Sequence, residues 1–173
     1  DPMTSLNPII TIGKQISSII MKHQDCSEVE ARARAIEMMR KVGIPNAENR
    51  YDDYPFQYSG GMRQRIVIAI ALSANPDILI CDEPTTALDV TIQAQVLELM
   101  KKLKAQYQTA MVMITHDLGI VAEICDYVAI MYAARLLSTA RGSIYSTPPR
   151  IRIQRAFLPA YRIYSPSRTS LFP

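Results

Sequence analysis

Apolar positions along this chain switch between a helical and an alternating period, and the switches mark its elements. Ser27, Glu28, Val29 and Glu30 match a capping box, in which Ser27 accepts the amide three residues on and Glu30 reaches back. The spacing predicts a helix from there to about Val42, stopped by Gly43 and Pro45. A second helix is expected after Gly60-Gly61, running to about Ala74 ahead of Asn75-Pro76. Asp77–Cys81 is a short apolar run of strand length that leads into two acids. Ile92, Val96, Leu99 and Leu103 return to helical spacing, with Lys101, Lys102 and Lys104 near the end where cations suit the helix dipole. Ala110–Ile114 reads as a strand, Leu118–Cys125 as a short helix and Tyr127–Tyr132 as a third strand, while residues 1–12 and 44–58 read as loop and turn. This alternation predicts an α/β fold with a parallel sheet buried on both faces.

Composition narrows the class. The 173 residues are 49% apolar, too many for a wholly disordered chain. Apolar runs such as Ile66–Leu72, of seven residues, fall well short of the roughly 20 needed to cross a bilayer. Asp1 is not followed by a cationic stretch and apolar core, so no secretory signal is expected. Cys26, Cys81 and Cys125 are odd in number and far apart, which points to a reducing compartment without a disulfide framework. The net charge of +3 hides a division. Residues 1–133 hold 12 Lys and Arg against 16 Asp and Glu, a net −4, whereas residues 134–173 hold seven Arg and no acid. Such a basic, proline-bearing tail fits an arm for nucleic acid or an anionic membrane surface.

Three segments carry candidate chemistry. In Tyr58-Ser59-Gly60-Gly61-Met62-Arg63-Gln64-Arg65, a hydroxyl and two glycine amides stand at a helix start. That arrangement suits phosphate, and it equally suits an ordinary N-cap with a glycine turn. In Ile78-Leu79-Ile80-Cys81-Asp82-Glu83-Pro84, a strand delivers two carboxylates to its C-terminal edge, where open α/β sheets bind ligands. One carboxylate can hold Mg²⁺ while its neighbour polarises a water, and the competing reading is a solvated acidic turn. In Met113-Ile114-Thr115-His116-Asp117 a strand ends in a histidine, which taken alone is more often structural. Thr85-Thr86-Ala87-Leu88-Asp89 lies between the second and third segments.

Together these segments resemble the ATP-binding subunit of ABC transporters, with YSGGMRQR as signature, ILICDEP as Walker B strand, ALD as D-loop and ITHD holding the switch histidine. The separations of 23 residues from Ser59 to Asp82 and 34 from Asp82 to His116 suit that family. The resemblance covers residues 1 to about 133, and DPMTSLNP with Met62 looks most like the oligopeptide, dipeptide and nickel importers. It implies that Asp82 coordinates Mg²⁺, Glu83 acts as general base and His116 contacts the γ-phosphate. Ser59, Gly60, Gly61 and the neighbouring Gln64 would meet the γ-phosphate of ATP held by a second ATP-binding subunit in a head-to-tail dimer, with Asp89 communicating across that interface. The resemblance further implies transmembrane permease partners, no nucleic acid, and a peripheral place on the cytoplasmic face of the membrane.

The implied fold is the C-terminal part of a P-loop ATPase domain with an inserted helical subdomain. Residues 1–75 would form the helical signature subdomain, 76–133 part of the α/β core and 134–173 an aberrant basic tail. Glycines stand at 13, 43, 60, 61, 119 and 142, and no GxxxxGK[ST] can be written with them. The expectation is therefore a fragment lacking Walker A, unable to hydrolyse ATP alone, whose sheet leaves an edge or an apolar face uncovered. The tail departs from the family after Ala133. Read one base out of register, the codons from Arg150 through Phe157 permit His-Pro-Tyr-Thr-Ala-Gly-Leu, the family's own continuation, so a frameshift between about Ala133 and Ser138 is expected. Two alternatives stand beside this reading: a related ATPase acting on nucleic acid, and a non-catalytic truncated product.

Overall fold

The computed structural model describes residues 5–86, 88–132 and 135–141. They belong to two units, Asp1–Ile114 and Thr115–Pro173. In the first, α1 (Ile12–His23), α2 (Glu28–Lys41), the single turn α3 (Ala47–Arg50) and a 3₁₀ turn (Pro55–Gln57) precede α4 (Gly60–Leu72). Strand β1 (Ile78–Asp82), α5 (Val90–Tyr107) and β2 (Ala110–Ile114) complete it. The second unit holds α6 (Leu118–Ile124), β3 (Tyr127–Tyr132) and β4 (Arg135–Arg141).

Helix α1 is an element that the sequence reading did not propose. Its row Ile12, Ile16, Ile20 is buried, but Gly13, Ser17 and Ser18 are weak helix formers. Packing supplies what propensity lacks. Ala31 and Ala35 of α2 are fully buried in the same core as that row, and the Ser17 hydroxyl lies 2.6 Å from that of Tyr51. The first α1 amides are satisfied at a distance in sequence: Ile12 donates to the carbonyl of Asp53 (2.9 Å) and Gly13 to that of Tyr51 (2.8 Å).

The expected capping box opens α2. Ser27 Oγ accepts from the Glu30 amide, and Glu30 Oε2 accepts from the Ser27 amide at 2.8 Å. Gly43, at φ 78°, closes the helix in the left-handed region, its amide bound to Arg40 O and that of Ile44 to Met39 O. The Ser27 backbone amide, first, and its hydroxyl hold the Glu30 carboxyl below its ordinary range. A carboxyl depressed in the folded state stabilises above its unfolded pKa and loses that contribution as pH falls through the folded value. Thermal stability is thus expected to fall on acidification below about pH 4. Glu30→Gln should flatten that part of a melting-temperature profile taken between pH 5 and 3; an unchanged slope would contradict the assignment.

Helix α4 is fixed along its length. Arg65 donates to Gly43 O (3.4 Å) and Gln95 Oε1 (2.8 Å), while Gln24, itself held by Arg34, donates to the carbonyl of the α4 C-cap Ser73 (2.9 Å). One hydrophobic core takes Ile12, Ile16 and Ile20 of α1, Met39 of α2, Ile66 and Leu72 of α4, and Val96 and Met100 of α5.

The expected sheet is half right. Strands β1 and β2 pair in parallel, with Ile78 opposite Ala110 and Asp82 opposite Ile114. Leu79 and Cys81 face the core, with Met111 and Met113 packed against it. The other face is not buried: Ile78, Ile80, Val112 and Ile114 are 59, 67, 49 and 50% exposed. Burial on both faces is therefore corrected to burial on one, which agrees with the expectation of an uncovered apolar face. Nor does β3 join a parallel array among the described residues; it pairs antiparallel with β4, Tyr127 opposite Arg141. The apolar pattern of β3 states that it is a strand, not which neighbour it takes, and a partner lies just along the chain. Residues 135–141 of the supposed aberrant tail are thus paired, and residues 142–173, which hold most of the frame-shifted reading, lie outside the described residues.

Candidate functional site

Ser59 sits in extended backbone (φ −66°, ψ 163°) as the N-cap of α4, and its hydroxyl accepts from the Met62 amide at 3.4 Å. The first amides of a helix have no partner within it, so the Gly60 and Gly61 amides stand at the positive end of α4, whose first turn holds no acid. The two glycines differ in surroundings. A Cβ on Gly60 would meet nothing within 4 Å, whereas one on Gly61 would lie 2.5 Å from Ile92 Cγ2 in the first turn of α5. Gly61 is thus small because two helices cross there, and Gly60 opens onto solvent. Ser59 and Gly60 are exposed; Gln64, one turn further along α4, is only 7% exposed and is not brought to the surface with them.

Asp82 ends β1 and is exposed on the same sheet face as Ile78 and Ile80. Glu83 follows at φ 46°, in the left-handed region that a side chain other than glycine rarely adopts. Its amide donates to the Ile114 carbonyl (2.9 Å), its carbonyl accepts from the Thr86 amide (3.1 Å), and its carboxylate accepts from the Thr86 hydroxyl (2.9 Å). These bonds hold a strained residue at the head of the β1 turn, a place where strain and chemistry often coincide. The neighbouring Cys81 thiol is pushed up to about 11 by burial and stays protonated. Among the described residues no three His, Cys, Asp or Glu gather as a metal cage. A lone exposed carboxylate at a strand end fits Mg²⁺ all the same, because that ion keeps waters and takes one or two protein carboxylates beside nucleotide phosphates.

Asp89 caps α5, its Oδ1 accepting the Ile92 amide at 2.9 Å. The loop glycine Gly61 and the turn acid Asp89 therefore both bear on Ile92, one by packing and one by hydrogen bond. His116 belongs to the second unit and is exposed. Beside it Asp117 caps α6, accepting from the amides of Gly119 (2.7 Å) and Ile120 (3.4 Å). Sequence reasoning missed Arg50 and Thr86. Arg50 contacts both flanks of the Ser59 loop, and no residue spacing announces it; Thr86 was visible only as part of a turn.

Residues 3–86 match the family model described as ABC transporter. The chain is 63% identical over 137 residues to the oligopeptide transport ATP-binding protein AmiE of Streptococcus pneumoniae, covering 79% of this chain and 39% of that protein. It is 57% identical over 139 residues to the oligopeptide transport ATP-binding protein OppD of Bacillus subtilis, covering 80% of this chain and 39% of the other. The match to the probable peptide ABC transporter ATP-binding protein y4tR of Sinorhizobium fredii, 47% identical, takes in 92% of this chain and 52% of that protein. The chain thus spans about two fifths to one half of the curated relatives it matches. Among solved structures, the dimeric post-hydrolysis state of the ATP-binding cassette MJ0796 bound to ADP and Pi superposes with TM-score 0.67 at 27% identity, over 83% of this chain and 60% of that one. CbiO1 of Clostridium perfringens, part of an ABC transporter complex, shares the fold at TM-score 0.72 and 24% identity, over 96% of this chain and 62% of that one.

Proposed function

We propose, from the similarity of this chain to the ABC transporter family model and to peptide-transport ATP-binding proteins, that it belongs to that family and is the signature-bearing part of the ATPase that drives import of peptides. The observation that carries this reading is the open α4 N-terminus, where Ser59 and Gly60 are exposed and no described residue comes within 4 Å of a Cβ placed on Gly60. A phosphate placed there meets two backbone amides and a hydroxyl on a positive helix end. The nucleotide would be held by a second ATP-binding subunit facing head-to-tail, as the dimeric form of the related cassette MJ0796 supports.

Asp82 would hold Mg²⁺, which neutralises phosphate charge when bound. Glu83 would take the proton of the attacking water, its backbone kept in place by Ile114 and its carboxylate oriented by Thr86. His116 would contact the γ-phosphate and Asp89 would report on the dimer interface through the α5 cap. Phosphoryl transfer asks mainly for such positioning and charge neutralisation. Among the described residues no helix is long and apolar enough to cross a membrane, and the chain would work peripherally on a permease at the cytoplasmic face. The uncovered face of β1 and β2 supports a chain that supplies only part of the cassette, as does the share of its relatives that it spans. Alone, it is expected not to turn over ATP.

The experiment mixes this chain with an intact peptide-importer ATP-binding subunit and follows association by sedimentation. Complex formation in MgATP but not in MgADP is expected. Equal association in both, or none, would overturn the reading.

A further inference from the structure

We propose that Arg50 is a positioning residue that sets the trajectory of the Ser59-Gly60-Gly61 loop; this rests on the phosphate-binding role of that loop proposed above. Arg50 ends α3, nine residues before Ser59, yet its guanidinium reaches both sides of the loop. Ahead of Ser59, Nη2 donates to the Gln57 carbonyl (2.9 Å) and the guanidinium lies 4.1 Å from the centroid of the Tyr58 ring. Beyond Gly61, Nη1 lies 3.6 Å from Met62 Sδ. The third edge is occupied by Asp53, which accepts from Nε at 3.0 Å.

The grip is closed from the other side. The Tyr58 hydroxyl donates back to the Arg50 carbonyl at 2.5 Å, and the Tyr58 side chain is buried. Burial, chiefly, pushes that phenol up to about 12, so it remains a donor across the physiological range. Gln57 is fixed in turn, its amide group donating to Asp53 Oδ1 (3.4 Å) and accepting the Tyr54 amide (2.7 Å). One planar fork therefore fixes residues 57, 58 and 62, and the three residues between 58 and 62 have their path determined at both ends. Asp53 also accepts the Ile12 amide through its carbonyl, so the same cluster seats α1. Only a guanidinium satisfies this geometry. A lysine keeps the charge near Asp53 and Tyr58 but is a point donor that cannot bridge three directions at once.

The test uses the full chain as wild type, Arg50→Lys and Arg50→Ala. Amide hydrogen exchange at Met62 reads the Ser59 hydroxyl directly, because that hydroxyl is its acceptor. In Arg50→Lys, exchange at Met62 and Arg63, whose amides donate to Ser59, is expected to rise roughly tenfold, about the loss of one charge-assisted hydrogen bond. Amides in the middle of α1 and α2 should stay within about twofold, and MgATP-dependent association with an intact peptide-importer subunit should weaken by a similar factor of roughly ten. Arg50→Ala should exceed both effects. Unchanged exchange at Met62, or a rise shared equally by α1 and α2, would overturn the positioning role. Absence of MgATP-dependent association in the wild type would instead overturn the proposed function, and the exchange result alone would then decide the role of Arg50.

Discussion

Gly60→Asp is expected to raise the stability of this chain slightly and to abolish its nucleotide-dependent association. The two signs follow from one position. Residue 60 is the first residue of α4, that helix has no acid in its first turn, and a side chain there meets nothing within 4 Å. A carboxylate at a helix start contributes roughly 0.3–1 kcal/mol, so the melting temperature should hold or rise. The same carboxylate would occupy the approach proposed for the phosphate and repel it, and a loss of at least about 100-fold in MgATP-dependent affinity is expected, or about 3 kcal/mol. Gly61→Ala inverts the pattern. Its methyl would crowd Ile92 Cγ2, a β-branched side chain with little rotamer freedom in a helix, and a net cost of about 1–2 kcal/mol is expected after the helix-propensity gain. Denaturant titration and sedimentation on both variants separate the cases. If Gly60→Asp destabilised the fold, or associated normally in MgATP, the open-site account of Gly60 would be wrong.

The second large effect concerns the bare sheet face. Ile78, Ile80, Val112 and Ile114 form one apolar patch across β1 and β2. Covering four half-exposed aliphatic side chains is worth roughly 3–6 kcal/mol, which at its upper end drives association of the isolated chain at about 50–100 micromolar concentration. The double variant Ile80→Thr with Val112→Thr keeps strand preference while removing apolar surface. It should sediment as monomer where the wild type forms larger species, with a melting temperature within a few degrees of the parent. Persistent association would show that another surface is responsible, and a cost of about 2 kcal/mol or more per site would show that these residues are buried in solution.

Much of this was legible in the sequence, for reasons that can be named. The Ser27–Glu30 box, the Gly43 stop and the runs 110–114 and 127–132 are local signals, and each appears where it was expected. Ser59, Gly60, Asp82 and Glu83 could be put forward as candidates because they stand in short contiguous segments. What escaped depends on distant partners. Helix α1 is capped by carbonyls some 40 residues away and owes its stability to alanines of α2, neither of which leaves a periodic trace in residues 12–23. The pairing of β3 with β4 escaped because an apolar strand is agnostic about direction. The left-handed backbone of Glu83 is set by the Ile114 carbonyl on the neighbouring strand and has no signature in Cys-Asp-Glu-Pro.

The two-ended anchoring of α4 has a mechanical consequence. Thirteen residues make a rod of about 20 Å, with Ser73 pinned at one end and the Ser59 loop carried at the other. Swinging that rod by about 5° about its pinned end moves the loop by about 1.7 Å, more than the whole tolerance of a hydrogen bond to phosphate. A small rotation, imposed anywhere along the helices packed on this rod, would therefore be geared up into a larger displacement of Ser59 at its tip.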